Sequence, residues 1–159
     1  MTDNPHQLDR IREFINQEAR YLNKADLESW ISLFTEDGFY WMPLDTEQRH
    51  PDEHDSIFYE DRVLMEIRKR NFKHRLSPSM QYPVRSTRLV ADTHMIEFDE
   101  TSCTVESSFH AVLLYKEQTV FAGTMQHQLV RDGDDYRIRM KRVDLLNADM
   151  PLPSIMIYI

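Results

Sequence analysis

Only one cysteine, Cys103, occurs in the 159 residues. That excludes an internal disulfide and a multi-thiolate metal site, and it favours a reducing compartment. Basic charge is in the minority. The 19 Lys and Arg against 27 Asp and Glu leave a net charge of -8, a balance that does not track phosphates and argues against nucleic acid as a partner. No apolar run nears the roughly 18 residues of a membrane span, and the first twenty residues are too charged for a signal peptide. The expected location is therefore the cytoplasm, away from any membrane. Three glycines, seven prolines and the lack of any repeat exclude collagen-like and low-complexity classes. What remains, 41% hydrophobic and 29% charged, is the composition of an ordinary globular protein. One domain over 1–159 is expected, long enough to bury about 68–70% of its unfolded surface.

The pattern of apolar residues divides the chain into helices (about 4–72), then strands (about 84–146), then an apolar tail (147–159). Leu8, Ile11, Ile15, Ala19 and Leu22 recur at helical spacing, with Asp3 or Asn4 to cap and Pro5 in the first turn. Asp26 can cap a shorter helix that buries Leu27, Trp30, Ile31 and Phe34, with Asp37-Gly38 as its stop. A strand over Phe39 to Met42 follows, then the polar segment DTEQRHPDEHD, then a third helix from near Asp55 to Phe72. Beyond a polar connection, Leu76 to Pro83, runs of β-branched and aromatic residues predict strands at 84–98, 103–116, 119–131 and 136–146. Turn signals stand at Asp99-Glu100, Glu117-Gln118 and Asp132 to Asp135. The alternation changes phase in the last strand, which predicts a bulge near Arg142. Helices followed by a meander predict an α+β fold, a curved antiparallel sheet forming a cone with the helices over it.

Several residue groups carry candidate chemistry. His50 and His54 stand at i, i+4 spacing near Asp52, Glu53 and Asp55, but Pro51 between them makes a solvated loop the better reading than an iron site. A Rieske centre needs two cysteines and two histidines, so it cannot be built on this chain. No nucleophile-elbow, P-loop or dinucleotide fingerprint occurs. A curved sheet closed by helices still offers a pocket, and His110, His127, Glu106, Tyr40 and Tyr59 are the residues that can do acid-base work in one. The plainer alternative is that they are satisfied polar groups on half-buried strands. Asp61, between Ile57 and Leu64, is expected to face inward on the third helix. It then needs an ion-pair partner, and Arg85 and Arg88 are the candidates.

The chain ends in DMPLPSIMIYI. Leu152, Ile155, Met156, Ile157, Tyr158 and Ile159 are too apolar to hang in water, so they are expected at an oligomer interface, with packing on the chain's own core as the alternative.

The stretches LFTEDGFYWMPLD, SIFYEDRVLMEIRKRNF, YPVRSTRLVAD and RMKRVDLLNADMPLPSIMIYI, in that order, resemble the small (β) subunit of bacterial aromatic-ring-hydroxylating dioxygenases. The resemblance spans nearly the whole chain. One departure is GTMQHQL at Gly123 to Leu129, where many relatives carry charged residues. The resemblance implies a cone similar to nuclear transport factor, with a cystatin-like sheet. It implies a partner large (α) subunit that carries a Rieske [2Fe-2S] cluster and a mononuclear Fe(II), with no cofactor on this chain. It also implies self-association as a trimer within an assembly of three large and three small subunits. The complex would add both atoms of dioxygen to an aromatic ring, giving a cis-dihydrodiol, with electrons from NADH. A freestanding lyase or isomerase, or a hydrophobic-ligand-binding module, both using the cone pocket, are the competing readings.

Overall fold

A computed structural model describes residues 5–75 and 82–159. The expected caps Asp3 and Asn4 and most of the connection from Leu76 lie outside the described residues. Helix α1 runs from Pro5 to Asn23 and turns Ile11, Ile15, Ala19 and Leu22 inward. It ends with Ala25 in the left-handed region (φ 54) and with Asp26 N–H donating to the Tyr21 carbonyl at 2.9 Å. This is a Schellman-type closure at a position where glycine is usual. Asp26 then caps α2 (Leu27–Ser32), its carboxylate accepting from Ser29 N–H at 3.1 Å. Leu27, Trp30 and Ile31 are the buried face of that helix.

Strand β1 begins at Phe34 and reaches Pro43, earlier than expected, so Asp37-Gly38 does not stop a helix. Gly38 instead permits close packing. A Cβ there would stand 2.9 Å from the carbonyl oxygens of Ile138 and Thr35, where the register of β1 shifts. The segment expected to open the third helix is a strand, β2 (Ser56–Asp61). Its run of Ile57, Phe58 and Tyr59 fits a pleated ribbon against β1, and helix α3 covers only Arg62–Arg75. The remaining strands are β3 (Arg85–Phe98), β4 (Ser102–Tyr115), β5 (Glu117–Asp132) and β6 (Asp135–Leu145), within two residues of expectation. The turn between β4 and β5 is Lys116 alone, held at φ 63.

All six strands form one sheet in the order β2-β1-β6-β5-β4-β3. Its neighbours are antiparallel except β1 and β6, which run parallel. The sheet curves without closing, and α1 packs against β3. Curvature is built in at bulges: one between Ala91 and His94, and one on β6 where Arg139 is skipped in the pairing with β5. The phase change of β6 therefore falls three residues before the expected Arg142. It turns Lys141, Val143 and Leu145 inward and puts Met140 on the outer face, opposite Gln128. The inner face holds the core, with Phe34, Phe109, Phe121, Leu129 and Ile138 all buried.

Candidate functional site

The concave face of the sheet carries a group of polar side chains that sequence patterning did not bring together. Glu18 sits on the apolar stripe of α1, seven residues after Ile11, and is 2% exposed. Its carboxylate oxygens accept from His127 Nε2 and Lys141 Nζ, each at 2.6 Å, and from Trp30 Nε1 at 3.1 Å. A carboxylate only accepts, so Nε2 of His127 carries the hydrogen. His127 Nδ1 is buried and has no partner among the described residues. Burial alone raises the Glu18 carboxyl, but the Lys141 ammonium and His127 outweigh it and hold the pKa at about 2. Lys141 Nζ also donates to the Ile159 carbonyl at 2.7 Å.

A second group lies between β2, α3 and the end of the chain. Glu60 (β2) accepts from Arg68 (α3), with Nε at 2.8 and 3.1 Å, and from the Tyr158 hydroxyl. Burial opposes ionisation of Arg68, but Glu60 outweighs it and raises the guanidinium further. Arg88 (β3) donates to Asn23 Oδ1 at 3.0 Å, to Ser86 Oγ at 2.8 Å and to the Tyr158 carbonyl. Its burial draws its pKa down to about 10, against the pull of Glu18. Tyr40 and Tyr158 are pushed up by burial and keep their protons.

These positions revise the expected sites. Of the five pocket candidates, only Tyr40 and His127 point into the cone, and both are fully buried. His110, exposed, and Glu106, half-buried, stand on the outer face of β4. There Glu106 accepts from Gln126 Nε2 at 3.3 Å. Tyr59 is 53% exposed and packs edge-on to Phe39 on the same outer side. Strand alternation explains the split, since even-numbered positions of β4 face away from the helices.

Asp61 makes no pair with Arg85 or Arg88. It is exposed at the end of β2, where its carboxylate accepts from Leu64 N–H at 3.0 Å and caps α3. Arg85 is exposed, and Arg88 is committed elsewhere. The ion pair of this region is the buried Glu60 with the half-buried Arg68, one position from the residue singled out. The tail expectation is corrected in part. Ile157, Tyr158 and Ile159 are in the chain's own core, at 3, 1 and 0% exposure, while Leu152, Ile155 and Met156 are half-buried.

On the outer face, Arg142 sits over the Trp41 ring at 4.5 Å and is held by both oxygens of Asp144, at 2.8 and 3.0 Å. It reaches the Gln48 and Thr46 carbonyls at 2.5 and 2.9 Å, which folds the polar loop after β1 against the sheet. His50 and His54 in that loop are exposed, and their carbonyls accept from Gln48 Nε2. Among the described residues no three His, Cys, Asp or Glu side chains are grouped so as to hold a metal ion. The donor set thus does not fit a resident iron: Cys103 is buried, its thiol pushed up to about 11 by burial, and Glu18 is consumed by His127 and Lys141.

Residues 17–151 match the family described as ring hydroxylating beta subunit. The toluate 1,2-dioxygenase subunit beta of Pseudomonas putida is 28% identical over 144 residues, 86% of this chain and 88% of that one. Among solved structures, the benzoate 1,2-dioxygenase beta subunit of Burkholderia mallei superposes with a TM-score of 0.76 at 23% identity, covering 98% of both chains. A naphthalene 1,2-dioxygenase structure also superposes at 0.76, with 16% identity over 100% of this chain and 88% of the other.

Proposed function

The chain belongs to the ring-hydroxylating β-subunit family, and on that premise we propose that it is the small subunit of an aromatic-ring dioxygenase complex, supporting a large subunit that does the chemistry. The observation that carries this is the match over 17–151. The cone interior is consistent with it, because most of its polar groups, His127 Nδ1 and Arg88 Nε excepted, are spent on one another and on the chain's own last residues. In this reading the chain is not itself catalytic. The large subunit carries the Rieske [2Fe-2S] cluster and the mononuclear Fe(II), and three large subunits assemble with a trimer of small ones. The complex adds dioxygen to an aromatic acid or hydrocarbon, as the names of the relatives suggest.

Contacts with the partners fall to surfaces that stay uncovered, in place of the very end of the tail. Leu89 and Val120 on the outer face of the sheet are 73 and 60% exposed, and Leu146 and Met150 after β6 are 81 and 62% exposed. No helix among the described residues is long and apolar enough to cross a membrane. Co-expression with its large subunit, followed by addition of reductase and ferredoxin, tests the reading. A complex of three plus three chains with oxygen- and NADH-dependent dihydroxylation is expected, and an inert small subunit alone. Turnover by the isolated chain that His127→Ala abolishes would favour the lyase or isomerase reading instead, since losing a general acid or base costs about 10²–10⁴-fold.

A further inference from the structure

The end of the chain is seated in the cone in the manner of a bound ligand. The Tyr158 ring stacks on Trp30 at 4.3 Å and 24°, and meets Tyr40 edge-on at 5.0 Å. The Arg68 guanidinium stands 5.6 Å from the ring centroid. The phenol hydroxyl donates to Glu60, the Tyr158 carbonyl accepts from Arg88, and the Ile159 carbonyl accepts from Lys141. The Tyr40 hydroxyl accepts from Ile159 N–H at 3.3 Å. Glu60, Arg88 and Lys141 are 7, 6 and 1% exposed, so charged groups are held at depth, one at the phenol hydroxyl and two at the backbone carbonyls of Tyr158 and Ile159. An apolar plug would need only the rings. A carboxylate at the hydroxyl and cations at the carbonyls select a phenol with an oxygen-bearing substituent.

We propose that the interior of the cone is a binding site for a 4-hydroxyphenyl group, filled in this chain by its own Tyr158. The aromatic walls come from α2 and β1, the hydroxyl acceptor from β2, and the carbonyl donors from β3 and β6, so the site is assembled by the sheet and α2 rather than by the segment that fills it. Tethering keeps the occupant at an effective concentration that free phenols do not match. The intact chain therefore leaves the site closed to them. The site opens only when the ring is absent or the segment is drawn out. This inference does not rest on the subunit reading, and its failure would leave that reading untouched.

The test uses the full-length chain with Tyr158→Ala, which removes one phenol ring and leaves the backbone contacts to Arg88 and Lys141 in place. Phenol at millimolar concentration should bind this variant saturably at one site and raise its thermal midpoint, while the unsubstituted chain shows neither effect. Benzene, which fills the same space without the hydroxyl, should bind about 10- to 100-fold more weakly, the difference that one hydrogen bond to a charged group makes. Equal affinity for benzene and phenol would reduce the site to an apolar core, and an equal response of both proteins to phenol would remove it altogether. If Tyr158→Ala does not fold alone, refolding from urea with phenol present or absent reads the same property. Recovery with phenol and not with benzene supports the site, and no recovery with phenol overturns it.

Discussion

Replacing Lys141 with methionine probes the largest electrostatic commitment of the fold. Lys141 and Glu18 are 1 and 2% exposed, at 2.6 Å. The change leaves the Glu18 carboxylate out of water with only the Trp30 and His127 N–H groups, and it frees the Ile159 carbonyl. Removing one partner of a buried pair costs about 3–5 kcal/mol, about a fifth or more of the roughly 5–15 kcal/mol that holds an ordinary domain together. Urea unfolding should therefore move the midpoint down at unchanged slope. Adding Glu18→Gln to Lys141→Met should recover part of the loss, because the orphaned charge goes with it. The same carboxylate sets an acid limit. Its folded pKa, about 2, lies below its ordinary 4.5, so the unfolded chain takes up the proton first as pH falls. The contribution is whole above about pH 4.5 and disappears as pH drops towards 2. Glu18→Gln should lack this component of acid unfolding. A Lys141→Met chain within about 0.5 kcal/mol of the parent, or identical acid profiles with and without Glu18, would refute the assignment.

Asp61→Ala should cost about 1 kcal/mol, the value of a helix cap; a loss of about 3–5 kcal/mol in chemical denaturation would restore the buried ion pair. Gly123→Ala should destabilise by at least about 1–3 kcal/mol, since a Cβ there would stand 1.9 Å from the Asp144 carbonyl oxygen across the β5–β6 pairing; unchanged thermal stability would mean the strands part freely. Cys103, 4% exposed with its thiol pushed up to about 11 by burial, should resist a thiol reagent in the folded chain and react in urea. Prompt modification of the folded protein would contradict that.

Local periodicity carried much of the fold. The stripe of α1 followed from spacing, the cap at Asp26 from residue type, and the four long strands from runs of β-branched and aromatic residues between turn signals. The segment from Ser56 to Asp61 did not, because Ile57, Phe58 and Tyr59 followed by a helix former satisfy either period over so short a run. The site was less legible. Glu18 was visible as a charge at i+7 from Ile11, and His127 as an inward position, but 109 residues separate them, and no local pattern reports such a pairing. Lys141 shares parity with Val143 and Leu145, so it was readable as inward. Before the bend, Tyr136, Ile138 and Met140 alternate with Arg137, Arg139 and Lys141, so a bulge expected at Arg142 rather than at Arg139 leaves Lys141 on the side of the arginines. At the end of the chain, apolarity alone does not say whether the cover is a neighbour or the chain's own cone; that depends on Arg88, Glu60 and Lys141 standing where the backbone of the tail arrives.

The pairing of α1 with strands from the far end of the chain has a consequence for synthesis. Glu18 waits for Lys141, 123 residues later, and β1 waits for β6 to supply a parallel neighbour. At about 5–20 residues per second on the ribosome, that interval is about 6–25 seconds. Until β3 (Arg85–Phe98) has been made, α1 lacks the strand it packs on, and the stability of a helix in a protein comes mostly from such packing of its apolar face. Slow loop closure between distant segments, more than any local step, sets the pace at which the cone is sealed.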